Sequence, residues 1–318
     1  MKTIGIGLSC VAVSLLALLA TPHAQAPAGG RDGGAQARGG GGQDVQVKAN
    51  QLAPNFYALQ ANGLSTVGVL VGPDGVLMVD AGTPALSDKV VAAIKQVSDR
   101  PIRFLINTHV HADHTGGNES FGKMGVTILA REQLRTRLMK PNPGPNGAPG
   151  NPAPALALPL ITFDAPVTIR MNGEEIQLIP VRSAHTDGDT MVKFPVSDVI
   201  MTGDFFRSLG YPNIDLANGG SLKGLLDGLN QVMNAAGAAT KIVPGHGEIV
   251  NKAAVTAHRD MIVALRDKVA PMIARGMTVE QVTAAKPTAD FDAKVPGIGT
   301  TGDRFIGQLY AELKGSGR

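Results

Sequence analysis

Apolar and polar positions along the chain fall into short runs separated by turn residues, and the period of each run predicts its element. Residues 56–59 (Phe56-Tyr57-Ala58-Leu59) and 65–71 read as strands. Gly72-Pro73-Asp74-Gly75 is a hairpin turn before a third strand, Val76-Leu77-Met78-Val79. Leu86, Val90, Val91, Ile94 and Val97 recur at helical spacing, which predicts an amphipathic helix over 84–97. The apolar run 102–106 follows Pro101 and reads as a buried strand.

A strand at 126–129 leads into a basic helix, 131–140, whose arginines are expected on a solvated face. Residues 141–159 are dense in Pro, Gly, Asn and Ala and lack periodicity, so they are expected to form a long loop that acts as a flap. Strands resume at 166–171 and, after the turn Asn172-Gly173, at 176–179, 191–194 and 199–201. A helix over 222–233 and a last strand, 241–243, follow. Beyond Asn251 the pattern is helical, and Thr278-Val279-Glu280-Gln281 has the form of a capping box.

These patterns divide the chain. Residues 1–28 have the form of a secretory signal peptide: Lys2, an apolar stretch to about Ala20, then the cleavage patterns Ala24-Gln25-Ala26 and Ala26-Pro27-Ala28. Cleavage after Ala28 is favoured, because cleavage after Ala26 would leave Pro27 first. A spanning anchor is the alternative, and no stable membrane anchor is expected. Residues 29–43 are glycine-rich with few large apolar side chains, and read as a flexible linker. A main domain is expected over 44–250, with a helical extension over 251–318 packed on it. The expected location is the periplasm or the exterior.

Composition narrows the function. The formal net charge of +3 is scattered, and with no Trp and three Tyr the chain lacks both the basic runs and the stacking platforms of a nucleic-acid binder. A small-molecule substrate is expected instead. The one cysteine, Cys10, lies in the leader, so a mature chain would have no disulfide, thiolate nucleophile or Cys-ligated metal.

The candidate chemistry lies directly after the strand 102–106, in Asn107-Thr108-His109-Val110-His111-Ala112-Asp113-His114-Thr115-Gly116-Gly117-Asn118. His109 and His111 are two apart and in extended backbone face the same side, where they could share a metal ion. Asp113 and His114 follow, and a bend at Thr115-Gly116-Gly117 can aim them at a second ion. His185, Asp204 and His246 also fall just past predicted strands, where a rigid sheet builds sites on its loops. Asp80, at the end of 76–79, could cap a helix or accept from a metal-ligating His. His258 lies inside the tail helix and reads as a surface or packing histidine.

This set and order resemble the metallo-β-lactamase superfamily: His-x-His-x-Asp-His, a third His some seventy residues on, an Asp in Gly-Asp and a last His in Gly-His-Gly. The resemblance implies an α/β fold, a four-layer αβ/βα sandwich with two mixed β-sheets and outer helices. It implies two Zn2+ ions, the first on His109, His111 and His185, the second on Asp113, His114 and His246, with Asp204 between them. It also implies a hydroxide nucleophile, oriented by Asp113 as the catalytic carboxylate. Di-iron relatives place Glu where His111 stands, which favours zinc here. Many lactamases use Cys at the second metal, which this chain lacks; its ligand set looks more like glyoxalase II, the lactonases and the lactamases with an all-His/Asp second site.

The loop after Asp204 supplies candidate substrate contacts. Tyr211 or Asn213 could donate to an oxyanion and Arg207 could bind a carboxylate. Export favours a β-lactam substrate over glutathione thioesters or RNA, with lactones, esters, sulfates and phosphodiesters as alternatives. A zinc- or partner-binding protein without turnover is the alternative of another class.

Overall fold

The computed structural model describes residues 45–61, 65–141, 150–295 and 297–315. The predicted leader and linker, and residues 142–149 of the predicted flap, lie outside the described residues.

Twelve strands of the described residues form two mixed sheets. The first is β1 (Lys48–Ala53), β2 (Phe56–Gln60), β3 (Val67–Leu70), β4 (Val76–Val79), β5 (Ile102–Ile106), β6 (Thr127–Arg131) and β7 (Ile161–Phe163), in chain order. It is antiparallel from β1 to β4 and parallel from β4 to β7. The second has the order β12-β11-β10-β9-β8, from β8 (Val167–Met171), β9 (Glu174–Pro180), β10 (Thr190–Phe194), β11 (Val199–Gly203) and β12 (Lys241–Pro244). Only β11 and β12 pair in parallel there.

Strand side chains alternate between two buried layers, which is why β4 is apolar throughout. Leu77 and Val79 join Phe56, Ile106, Leu178, Val192 and Val243 between the sheets. Val76 and Met78 face outward onto α1 (Ser87–Lys95) and α3 (Asn118–Lys123), through Val90, Ile94 and Phe121. On the second sheet, Val199 and Met201 point inward while Ile200 and Ile242 face α5 (Leu222–Ala235), α6 (Lys252–Ala274) and α9 (Gly302–Gly315). The layers are thus helix, sheet, sheet, helix, the four-layer α/β sandwich expected.

Local signals explain the boundaries. The predicted helix over 84–97 starts as a 3-10 turn at Pro84–Leu86, where Pro84 is tolerated because an N–H at the first position would have no partner in the helix, and α1 then begins at Ser87. Asn172 and Gly173 both have positive φ, 55° and 77°, the two-residue turn that joins β8 to β9. The capping box opens α7 (Val279–Ala284), with Thr278 and Gln281 bonded reciprocally. Between α7 and α9 lies the short α8 (Ala289–Asp292).

One expectation needs correction. The basic helix, α4 (Glu132–Leu138), does not present a solvated arginine face. Arg131, at the end of β6, is 2% exposed and donates to the carbonyls of Val181 and Asp187 and to Asp164. Arg137 forks onto both oxygens of Asp187 at 2.7 Å, and Arg135 donates to the Pro159 carbonyl at 2.6 Å. The loop beneath α4 exposes backbone acceptors that only long, multi-donor side chains reach. The described end of the Pro-rich stretch is docked, since Asn118 donates to the Ala157 carbonyl at 3.0 Å and Ala157 is buried. Among the described residues, no helix is long and apolar enough to cross a membrane.

Candidate metal centre

β10 is antiparallel to both β9 and β11, so β9, β11 and β12 run in one direction. β4 and β5 likewise run together in the other sheet. Asp80 follows β4, His109 follows β5, His185 follows β9, Asp204 follows β11 and His246 follows β12. These strand ends meet at one edge of the sandwich. His111 caps the short helix α2 (Ala112–Thr115), which carries Asp113 and His114. The bend expected after His114 is therefore helical, and α2 itself turns the carboxylate and the ring inward.

The structure brings all seven candidate ligands together. His109, His111, His185 and Asp204 form one group whose ligand atoms lie within 4.8 Å of one another, and Asp113, His114 and His246 form a second. Asp204 sits between them: its carboxylate is 3.3 Å from His114 Nε2, 3.4 Å from His246 Nε2 and 4.0 Å from His185 Nε2.

Each of four rings has one nitrogen committed to an acceptor, which fixes its tautomer. Asp80 is the hub. Its carboxylate accepts from Thr108 N and Oγ1 and lies against His114 Nδ1, all at 2.7 Å. Thr108 Oγ1, already donating to Asp80, can only accept from His109 Nδ1, 3.1 Å away. His185 Nδ1 donates to the Asn213 carbonyl at 2.8 Å, and His111 Nε2 to Asp215 Oδ2 at 2.7 Å. Asp80 therefore orients candidate ligands and caps no helix, and its φ of 64° shows how tightly it is held.

The nitrogens left over converge on one another. His185 Nε2 and His111 Nδ1 are 3.0 Å apart, close enough to share one proton. His109 Nε2, His114 Nε2 and Asp204 Oδ1 are buried with no hydrogen-bond partner. Such groups cost free energy unless a cation lies among them, and neutral imidazoles with carboxylates and no thiolate suit zinc. Burial, reinforced by the neighbouring rings, holds His109 well below its ordinary range and His185 down to about 4, so both are neutral. Burial also works to lower His111 and His114, but the Asp215 carboxylate beside His111 and the Asp80, Asp113 and Asp204 carboxylates around His114 outweigh it and raise both, His114 well above its ordinary range, so a cation bound here would displace protons from these two rings. Burial works to raise Asp113 and Asp204, but the rings beside them outweigh it and keep both carboxylates ionised.

A family model described as the metallo-beta-lactamase superfamily matches residues 62–246. The chain belongs to this superfamily. Among curated members, the linear primary-alkylsulfatase of Pseudomonas sp. is 23% identical over 262 residues, 67% of this chain and 48% of that protein. The metallo-beta-lactamase type 2 of Bacillus cereus is 20% identical over 193 residues, 60% of this chain and 69% of that one. The solved metallo-beta-lactamase from Pontibacter korlensis superposes with a TM-score of 0.57 at 18% identity, covering 69% of this chain and 99% of that one. The inverting sec-alkylsulfatase from Pseudomonas sp. reaches a TM-score of 0.65 at 16% identity, covering 83% of this chain and 50% of that one. At these identities the structural likeness is one of fold, and the chain spans about half the length of the alkylsulfatases.

Within the superfamily site, the substrate candidates separate. Arg207 stays beside it, with Nε 3.9 Å from Asp204 Oδ2 and without a hydrogen-bond partner. Tyr211 is buried away from it: its hydroxyl meets Asp292 Oδ1 at 2.5 Å and its ring stacks on Phe305, so it packs the loop onto the extension. The Asn213 side chain accepts from Gln308, and its contribution is the backbone carbonyl toward His185. His258 is half-buried, edge-on to Phe206, as a packing residue.

Sequence reasoning missed Asp215 and Asp189. Asp189 accepts from His185 N at 2.7 Å and Thr186 N at 2.9 Å, which fixes the His185 loop. Asp189 directly precedes β10 and Asp215 lies in the long loop after β11, so neither stood out by its distance from a strand end.

Proposed function

We propose that this chain is an exported dinuclear zinc hydrolase that opens small cyclic amides, with β-lactams as the leading substrate class. The observation that carries the metal reading is the convergence of the His and Asp side chains into two groups, with His109 Nε2, His114 Nε2 and Asp204 Oδ1 buried and without a hydrogen-bond partner. His109, His111 and His185 would hold one ion, Asp113, His114 and His246 the other, with Asp204 between. Zinc bound there supplies Lewis acidity for a carbonyl oxygen and makes water a nucleophile near neutral pH.

The remaining steps belong to the chain. Asp113 is a quarter exposed, more open than Asp204, and its Oδ2 lies 2.9 Å from His246 Nε2. Ionised across the working pH range, it orients the attacking water and relays a proton to the leaving nitrogen. His111 and His246 are also partly exposed, so substrate approaches across these three residues. The lactam reading draws on the predicted leader and on the relatives named as lactamases.

A second reading, alkyl sulfate hydrolysis, is favoured by Arg207. Its guanidinium puts a positive charge beside the candidate metal ligands, 3.9 Å from Asp204, which suits an anionic substrate, and one relative is named an alkylsulfatase. The purified zinc-loaded protein, assayed with a chromogenic cephalosporin, a lactone, an alkyl sulfate and a phosphodiester, separates the readings. Cephalosporin turnover supports the first. Sulfate turnover with an inert cephalosporin replaces it with the second. Two bound zinc ions with no turnover across the panel would favour a binding protein.

A further inference from the structure

The short segment from Asn213 to Asp215 carries the orienting groups of two ligands of the first set. The Asn213 carbonyl accepts from His185 Nδ1 at 2.8 Å, and Asp215 Oδ2 holds His111 Nε2 at 2.7 Å. A shift of this segment would move both acceptors at once. Its neighbours give little regular support, since apart from the 3-10 turn Leu216–Asn218 the stretch from Arg207 to Ser221 contains no helix or strand.

Helix α9 supplies that support. Gln308 Nε2 donates to Asn213 Oδ1 at 2.8 Å, and Gln308 Oε1 accepts from Ile214 N at 3.0 Å. One amide thereby uses donor and acceptor on adjacent residues of the segment, which fixes the peptide unit whose carbonyl faces His185. Gln308 is itself held: Phe305 and Leu309 on the same helix are buried in a core that also contains Tyr211 and Ile214. At the other end, Asn218 bonds both oxygens of Asp215 and is gripped by Arg137 at 2.9 Å.

We propose that Gln308 is a positioning residue for zinc at His109, His111 and His185, so that the C-terminal helix sets the geometry of that half of the centre. This rests on the zinc reading above. The first set is then more sensitive to the extension than the second, whose His114 is oriented by Asp80.

Zinc titrated into the chelator-stripped full chain, against a chromophoric chelator, tests this. Gln308→Ala is expected to weaken one of two binding steps about tenfold, the lower end of the range for outer partners of metal ligands, and to leave the other step unchanged. Gln308→Glu keeps the acceptor for Ile214 N and loses the donor to Asn213, and is expected to fall between. Gln281→Ala removes one of the two bonds of the capping box of α7 on the same extension without touching the segment, and is expected to bind as the wild type does. Wild-type affinity in Gln308→Ala, or an equal loss in Gln281→Ala, overturns the inference. If Gln308→Ala does not fold, wild-type affinity in Gln308→Glu overturns it. A wild-type chain that takes up no zinc overturns the zinc reading itself and this inference with it.

Discussion

Gly245 lies so close to Asp204 that an added β-carbon would overlap Asp204 Oδ1 and come within 3.0 Å of His114 Cε1. The glycine before His246 therefore admits the carboxylate between the two ligand groups. Gly245→Ala should fold and yet bind zinc at least about tenfold more weakly, because Asp204 must move. Equilibrium dialysis with metal analysis checks this, and unchanged zinc content would show that the space is not needed.

Asp80 and Asp215 should differ in reach. Asp80 orients His114 directly and His109 through Thr108, one ligand from each group, whereas Asp215 touches His111. Asn tolerates the left-handed backbone at position 80, so Asp80→Asn removes the charge without adding strain. Both zinc-binding steps should weaken, by about 10- to 100-fold. Asp215→Asn should weaken one. Calorimetric titrations of the two variants give the comparison directly.

Chelation should abolish activity and lower the melting temperature together. Zinc at about 100 times its dissociation constant adds roughly 2.7 kcal/mol, which corresponds to a fall of roughly 5 to 10 °C on removal. His109→Ala should have no activity, and its melting temperature should respond far less to added zinc. Scanning calorimetry with and without a chelator measures both effects.

Most of the layout was legible because its signals are local. Val76 to Val79 and Ile102 to Ile106 announce buried strands by themselves, and the ligands stand at strand ends in a spacing that chemistry restricts. What could not be read depends on contacts between distant residues. Arg131 looks like any basic residue until the carbonyls of Val181 and Asp187 are placed beside it. Tyr211 and Asn213 lie in the right loop, but Phe305 and Gln308, more than ninety residues on, turn their side chains away from the site. Asp215 passes for a loop carboxylate until the fold brings it to His111.

Acid should destabilise the fold through His258. Burial, aided by the Arg207 charge, holds its pKa down to about 4 against an ordinary 6.5. The native ring is neutral, and below about pH 6.5 the unfolded chain binds a proton that the native state refuses. Stability is therefore lost as pH falls from about 6.5 toward 4, by about 2 kcal/mol at pH 5. His258→Phe keeps a ring against Phe206, so its melting temperature relative to wild type should be flat above pH 7 and rise below pH 6. A parallel pH dependence for the two proteins would rule this out.

The bond from Gln308 to Asn213 also bears on the order of folding. The first sheet joins strands in chain order, so its pairings close loops far shorter than that bond does and can form early. Gln308 and Asn213 are 95 residues apart, and His109 meets Asp204 across a similar separation. Closing such loops costs more chain entropy, so the centre should be completed after the sheet is in place. During refolding, zinc capture should lag the appearance of β-structure, and the delay should lengthen when α9 docks slowly.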